Sequence, residues 1–423
     1  MVLPGVCQAA AAGMAALQLF YSSSTGLWKS TGWWNAANAL ETTIDYSRTT
    51  NQSTYRHIIS NTYNKQKSTG FTEADVYDDQ GWWALTWIKA YDLTGEKRYL
   101  NTAKAIFRDM TKGWDSKCGG GMWWRKDRQY KNAITNELFF TIAIRLHQRT
   151  VNDYGKGSYL DWSKRGWNWI KRSGMINRQN LVNDGLDDRC RNNGQTTWTY
   201  NQGVVIGGLV DLYKSTKDRS YLNQAHTIAN ATIQHLSRNG VLREPCEPNC
   251  GEDGPQFKGI FIRNLAYLHQ TSPNSRYRDF MVKNASSVWA KSRNDRHQFG
   301  LSWAKGFDRA DAARQSAAID VLNASIPFDS TCIAKVSDSS ATGARDRPAT
   351  IPLFFSSVPL QQNQVKQFDL SFNTQDNQVA PSTHLLSLIP SHQNQVPHFE
   401  PSFRIEPLMQ GLISFLALER SLQ

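Results

Sequence analysis

Apolar residues recur at three- and four-residue steps through most of the chain as far as about residue 325. From Trp82 to Leu93 the residues Trp83, Trp87, Ala90 and Tyr91 mark one helical face, and Ala84, Leu85 and Ile88 fill another. A helix that is apolar nearly all round is a buried one. Gly95 follows Thr94 as a left-handed cap, and Glu96–Leu100 then opens a second, amphipathic helix running to about Thr111. A helix, a short turn and a helix of opposite direction make an αα-hairpin.

The same unit repeats. Ile134–Arg149 pairs with Trp162–Arg172, Tyr200–Tyr213 with Tyr221–Leu236, and Gly259–His269 with Tyr277–Ser292. Ala310–Leu322 reads as a last helix, and Ala11–Asn64 has room for two or three more. Strand-like alternation is scarce. Around a dozen helices are too many for a four-helix bundle and suit an all-α ring of hairpins. The expected division is an N-terminal extension over 1–14, one helical domain over 15–330, and a tail over 331–423. That tail is rich in Ser, Gln, Asn and Pro, a composition that buries too little apolar surface to fold alone.

Composition narrows the function. The 423 residues carry a net charge of +12, yet no Lys/Arg run exceeds two residues and acidic residues are interleaved throughout. A solvated basic surface is expected, without a nucleic-acid partner. No stretch of 18 apolar residues occurs, so no membrane span is expected. Cys246 and Cys250 can close a short disulfide loop, and Cys118 with Cys190 a longer one. A zinc site is disfavoured, because no second close Cys or His pair accompanies them. Sequons at Asn51, Asn230, Asn284 and Asn323 lean toward a secreted protein, although Val2–Phe20 makes a poor signal peptide.

The chemistry concentrates in Tyr77-Asp78-Asp79-Gln80-Gly81-Trp82-Trp83. Neighbouring residues start with Cα atoms about 3.8 Å apart, so two carboxyl groups turned toward one cavity can reach the ~5–5.5 Å of a retaining glycosidase. Like charges that close drive the two pKa values apart, leaving one carboxylate as nucleophile and one carboxylic acid as proton donor. The competing reading is that both aspartates cap a helix starting near Gly81. Trp82 offers a flat face for a sugar ring. Gly119–Trp124 is a glycine-rich turn into Trp123 and Trp124, fitted to close backbone approach and stacking rather than to a phosphate. Asn136 and Glu137 open the next helix. Asp184 lies in Asn183–Asp188, which lacks the spacing of a calcium loop, and Tyr200, Asn201 and Gln202 open a further helix. Amide, carboxylate and aromatic groups at helix starts suit hydroxyl-rich ligands, and ordinary caps also look this way.

Together, Tyr77–Trp83, Gly119–Trp124, Lys131–Phe139, Asn183–Asp188 and Trp198–Gly203 resemble glycoside hydrolase family 76, the endo-α-1,6-mannanases, and its fungal members above all. The resemblance covers roughly residues 15–325. It implies an (α/α)6 barrel, retaining cleavage of α-1,6-mannosidic bonds, no metal or other cofactor, and a monomer acting outside the cell or at the wall on mannan or mannoprotein glycan. By the family motif Asp78 corresponds to the nucleophile and Asp79 to the general acid/base. Trp82, Trp123, Trp124, Asn136, Glu137, Asp184, Tyr200, Asn201 and Gln202 are then the expected substrate contacts. Two rivals remain open: a mannan transglycosidase, which shares the signature, and a non-catalytic mannan-binding module, which has no need of both aspartates.

Overall fold

The computed structural model describes residues 5–330 and Cys332. These form twelve α-helices and two short antiparallel hairpins, 21–28 and 237–242. The helices are α1 (Val6–Gln18), α2 (Trp33–Thr50), α3 (Arg56–Gln66), α4 (Tyr77–Thr94), α5 (Lys97–Met110) and α6 (Ala133–His147). There follow α7 (Tyr159–Ser173), α8 (Thr199–Thr216), α9 (Arg219–His235), α10 (Gly254–Thr271), α11 (Ser275–Lys291) and α12 (Ala312–Ser325).

Inner helices are buried on every side and outer ones along a single stripe. α2 buries every residue from Asn35 to Ser47, and α12 every residue from Ala312 to Asn323. By contrast α5 buries only Tyr99, Leu100, Ala103, Ile106, Phe107 and Met110, one stripe of an amphipathic helix. The even-numbered helices pack in sequence, α2 on α4, α6, α8, α10 and α12, and α12 closes back onto α2. Each odd-numbered helix covers the outside, α5 on α4 and α7 on α6 for example. The result is the (α/α)6 barrel expected, with its ring closed. Because each inner helix is separated from the next by a returning outer one, the six inner helices run parallel. Glycine lets two neighbouring pairs, α8 with α10 and α10 with α12, approach closely: a Cβ on Gly203 would lie 2.6 Å from the Phe261 backbone, and one on Gly259 2.6 Å from that of Ala317.

Three loops that lead into inner helices are held by one device. The carboxamides of Asn136, Gln202 and Gln315, each the fourth residue of its helix, accept from the backbone N–H of Met122, Val182 and Phe299 at 2.6, 2.8 and 2.9 Å. Asn136 and Gln202 also donate back to the carbonyls of Met122 and Val182. Each satisfies a buried loop where it joins the barrel.

Three expectations need correction or limit. Residues 6–14 are not an extension: they begin α1, which packs on α12 with Ala9, Ala10 and Met14 fully buried. Small side chains there make a weak apolar signal but allow close packing. Helix α10 starts at Gly254, five residues before its expected Gly259, with Pro255 in its first turn. The tail expected over 331–423 lies outside the described residues, apart from Cys332, which is bonded to Cys7. That pairing links the two ends of the helical ring; Cys118–Cys190 and Cys246–Cys250 pair as expected. Among the described residues no helix is long and apolar enough to cross a membrane.

At the C-terminal ends of the inner helices lies a cavity of about 130 Å³. Its walls are paired charges, among them Lys89 with Asp45, Arg145 with Asp211 and Arg149 with Asp92. These ion pairs tie neighbouring inner helices together where the ring would otherwise gape. The aspartate pair belongs to the opposite end.

Candidate active site

Helix α4 begins at Tyr77 with Val76 as its N-cap, four residues ahead of the expected start near Gly81. Asp78 and Asp79 therefore lie inside the first turn, and no side chain caps this helix. Neither aspartate is the N-cap residue, although both stand in the first turn, where a carboxylate meets the positive end of the helix. The extended segment 122–125 crosses in front of the helix start, bridging Val76 to Arg125, and the Tyr77 N–H donates to the Trp124 carbonyl at 2.8 Å.

That crossing sets Trp124 over the pair. Its Nε1 donates to Asp78 Oδ2 at 3.0 Å, and the Asp79 N–H donates to Asp78 Oδ1 at 3.0 Å. Both Asp78 oxygens thus accept a hydrogen bond. Burial, then the adjacent Asp79, push the Asp78 carboxyl above the ordinary range, while these donors pull against the rise. Asp79 is pushed up to about 7, first by burial and then by the negative charge of Asp253.

Asp253 was missed in the sequence. It stands exposed just before α10 and accepts a hydrogen bond from Trp34 Nε1 at 2.8 Å. Trp34, in the first turn of α2, was missed as well. Its ring packs 5.5 Å from Trp82, Trp82 lies 6.2 Å from Tyr200, and Tyr200 stacks at 3.9 Å on Phe257. Trp198 meets Phe257 edge-on at 5.6 Å. The N-terminal ends of α2, α4, α8 and α10 thus converge on one aromatic cluster beside the aspartates. The Asp253-Gly254-Pro255 helix-start signal and the Gly32-Trp33-Trp34 run were the available clues.

Asp184 joins this cleft through a chain of hydrogen bonds. Tyr130 Oη donates to its Oδ2 at 2.6 Å, Trp198 Nε1 donates to its Oδ1 at 3.1 Å, and Asn193 Nδ2 donates to Tyr130 Oη at 2.8 Å. Tyr130 in turn meets Trp124 edge-on at 6.2 Å. Burial, then Asp184, Asp78, Glu137 and Asp253, hold the Tyr200 hydroxyl well above its usual pKa, which places it electrostatically among four carboxyl groups. Glu137 is fully buried with both oxygens unpartnered, and burial followed by Asp184 drives its carboxyl well up. A buried, unpartnered carboxyl stays protonated. The Asn201 carboxamide is likewise buried and unpartnered.

Other expected contacts are not brought to the cleft. Trp123 points the other way from Trp124, its Nε1 donating to Asp115 at 2.7 Å and its ring facing the Lys131 ammonium at 4.7 Å. Successive residues of an extended segment alternate sides. Asn136 and Gln202 spend their carboxamides on the loop backbone described above. Gly120 and Gly121 make room for a protein side chain rather than a sugar: a Cβ on Gly121 would meet the Trp169 ring at 2.4 Å and one on Gly120 at 3.1 Å. Lys131, buried, gathers that loop by donating to Asp115 Oδ1 and to the carbonyls of Lys117, Gly120 and Gly121 at 2.7–3.0 Å. In Asn183–Asp188, Asp187 pairs with Arg191.

Adjacent carboxyl groups of unequal environment, beside half-buried aromatic rings, are equipped for acid-assisted displacement at a sugar carbon. The chain is 29% identical over 265 residues to a putative mannan endo-1,6-alpha-mannosidase of Schizosaccharomyces pombe, covering 57% of this chain and 59% of that protein. It is 28% identical over 323 residues to mannan endo-1,6-alpha-mannosidase DCW1 of Eremothecium gossypii, covering 69% and 71%. Its fold matches an inactive variant of the alpha-1,6-mannanase GH76A of Salegentibacter sp. HEL1_6, solved in complex with alpha-1,6-mannotetrose, with TM-score 0.69 and 21% identity. That match covers 76% of this chain and 99% of the other. The model of glycosyl hydrolase family 76 matches residues 6–335, and the chain belongs to that family.

Proposed function

We propose that the protein is a retaining, endo-acting glycosidase that cuts α-1,6-mannosidic bonds in mannan or mannoprotein glycan outside the cell. One observation carries the roles: Asp78 accepts two N–H hydrogen bonds, whereas Asp79 faces the charge of Asp253. With one proton on the pair, donors favour the anion on Asp78 and the neighbouring charge favours the acid on Asp79. Asp78 attacks the anomeric carbon while Asp79 protonates the departing glycosidic oxygen. A covalent mannosyl-enzyme forms; Asp79, now a carboxylate, takes a proton from water, which displaces Asp78 with net retention. Trp34 and Tyr200, half-buried, supply the apolar surface along which sugar rings lie, while Trp82, an expected contact, is buried between them as their support.

The named specificities of the similar proteins support α-1,6-mannan as the substrate. Acceptance of a sugar hydroxyl in place of water would turn the same intermediate into a transglycosylation product. The test is product analysis on linear α-1,6-mannan with and without an added acceptor sugar. Shorter mannan fragments in both cases support hydrolysis; acceptor-linked products in place of free reducing ends would establish the transglycosidase instead. Binding of mannan without any bond cleavage would leave only the binding-module reading.

A further inference from the structure

We propose that the protein carries an N-linked glycan at Asn51, and that the fold singles this sequon out from the four in the chain. The Asn51-Gln52-Ser53 triplet is exposed at all three residues, in the turn that leaves α2. Asn51 holds the left-handed conformation, φ 54°, that ends the helix and turns the chain outward. A large substituent on its Nδ2 meets solvent.

The other three sequons are engaged by the fold. Asn284 is fully buried in α11; its Nδ2, the atom that would be glycosylated, donates to the carbonyls of Gly240 and Phe280 at 3.1 and 2.8 Å. Its Oδ1 accepts from the Leu242 N–H at 2.8 Å, so it holds the 237–242 hairpin. Asn323 is buried on inner helix α12 with its Nδ2 toward the Thr42 carbonyl at 3.3 Å. A sugar on either nitrogen would replace a buried hydrogen bond with a group too large for the core. Asn230 is half-buried within α9, its Oδ1 accepting from Arg276 at 3.1 Å, and the Thr232 hydroxyl that completes its triplet is buried against the Ile228 carbonyl.

The step is a group transfer. The Asn51 Nδ2 attacks the anomeric carbon of an oligosaccharide linked to a lipid diphosphate; the C–N bond forms, the C–O bond to diphosphate breaks, and the amide gives up one proton. Passage through an oxidising secretory compartment is required, and three disulfides with no free cysteine among the described residues accord with it. The inference rests on that secretory reading and not on which bond the enzyme cuts. Position makes the glycan compatible with catalysis: Asn51 ends α2, while Trp34 near its start lines the cleft, about 25 Å away at ~1.5 Å per residue.

The experiment is secretion of the full chain from a eukaryotic host that N-glycosylates, followed by peptide N-glycosidase in heavy-oxygen water and peptide mass spectrometry. Mannan cleavage is assayed in parallel, so that failure of the enzymatic reading is scored separately. The isotopic label should fall on the Asn51 peptide, and Asn51→Gln should abolish the mobility shift while kcat stays within about twofold. Ser53→Ala, which keeps Asn51 and its backbone, should abolish the shift equally. An unlabelled Asn51 in folded, secreted protein would overturn the proposal, as would a shift that persists in Ser53→Ala or a label at Asn230, Asn284 or Asn323.

Discussion

Trp124 donates its indole N–H to Asp78 Oδ2 at 3.0 Å across a gap of 46 residues in sequence. The contact works against the rise that burial and the adjacent Asp79 impose on the Asp78 carboxyl. In Trp124→Phe the ring remains apolar but the donor is gone. A hydrogen bond to a charged group contributes about 1.5–3 kcal/mol, so kcat should fall roughly 10- to 100-fold. Asp78 then ionises at higher pH, and the acid limb of the pH–rate profile should move up. A profile unchanged in shape and height would show that this contact does not tune the nucleophile.

Burial, and after it the charge of Asp253, pushes the Asp79 carboxyl up to about 7. The proton donor must be protonated, so kcat/KM should fall as pH rises through about 7. Asp253→Asn removes the charge yet keeps an oxygen for Trp34 Nε1. The Asp79 pKa then drops, and the alkaline limb should shift to lower pH. A shift toward higher pH, or none, would contradict the assignment of Asp79 as the acid.

Much of this was legible in the chain. The hairpin α4–α5 showed because Trp82–Leu93 is apolar nearly all round and Glu96–Thr111 carries a single stripe. Inner helices α2 and α12, by contrast, bury polar residues such as Asn38, Glu41, Gln315 and Asp320 that periodicity does not mark as inward. The Asp78-Asp79 pair is contiguous in sequence, so its proximity required no tertiary knowledge. Trp34 and Asp253 meet across 219 residues, and nothing local announces such a contact. Nor does sequence say which side an aromatic faces: Trp123 and Trp124 read as a matched pair, and the extended backbone sends them in opposite directions. Asn136 and Gln202 read as ligand groups because a carboxamide near a helix start looks the same whether it meets a sugar hydroxyl or a loop amide.

Lys131→Met should destabilise the barrel. It strips the cation from Asp115 and from three carbonyls of the 117–121 loop. Breaking such a buried set costs about 3 kcal/mol. Thermal melting should show Tm lower by several degrees, with activity reduced because the same loop leads into Trp124. An unchanged Tm would mean the loop is held without the ammonium.

Glu244, fully buried, accepts from the Thr199 N–H at the start of α8 and from the Thr199 hydroxyl. Burial pushes its carboxyl up to about 8 against those hydrogen bonds. A carboxyl whose folded pKa is raised binds its proton more tightly when folded, so its contribution is full below the unfolded value and is lost as pH rises through about 8. Glu244→Gln fixes the neutral form. Denaturant titrations between pH 5 and 8 should therefore show a shallower loss of stability in the variant than in the parent; equal slopes would place the titrating group elsewhere.

The roles of Asp78 and Asp79 are tested most directly by the anomeric configuration of the first product released from a linear α-1,6-mannan oligosaccharide, followed by proton NMR before mutarotation. Double displacement through a mannosyl-Asp78 intermediate predicts that the α-anomer appears first and the β-anomer grows in only at the mutarotation rate. First appearance of the β-anomer would mean direct attack by water, and the nucleophile assignment of Asp78 would fall.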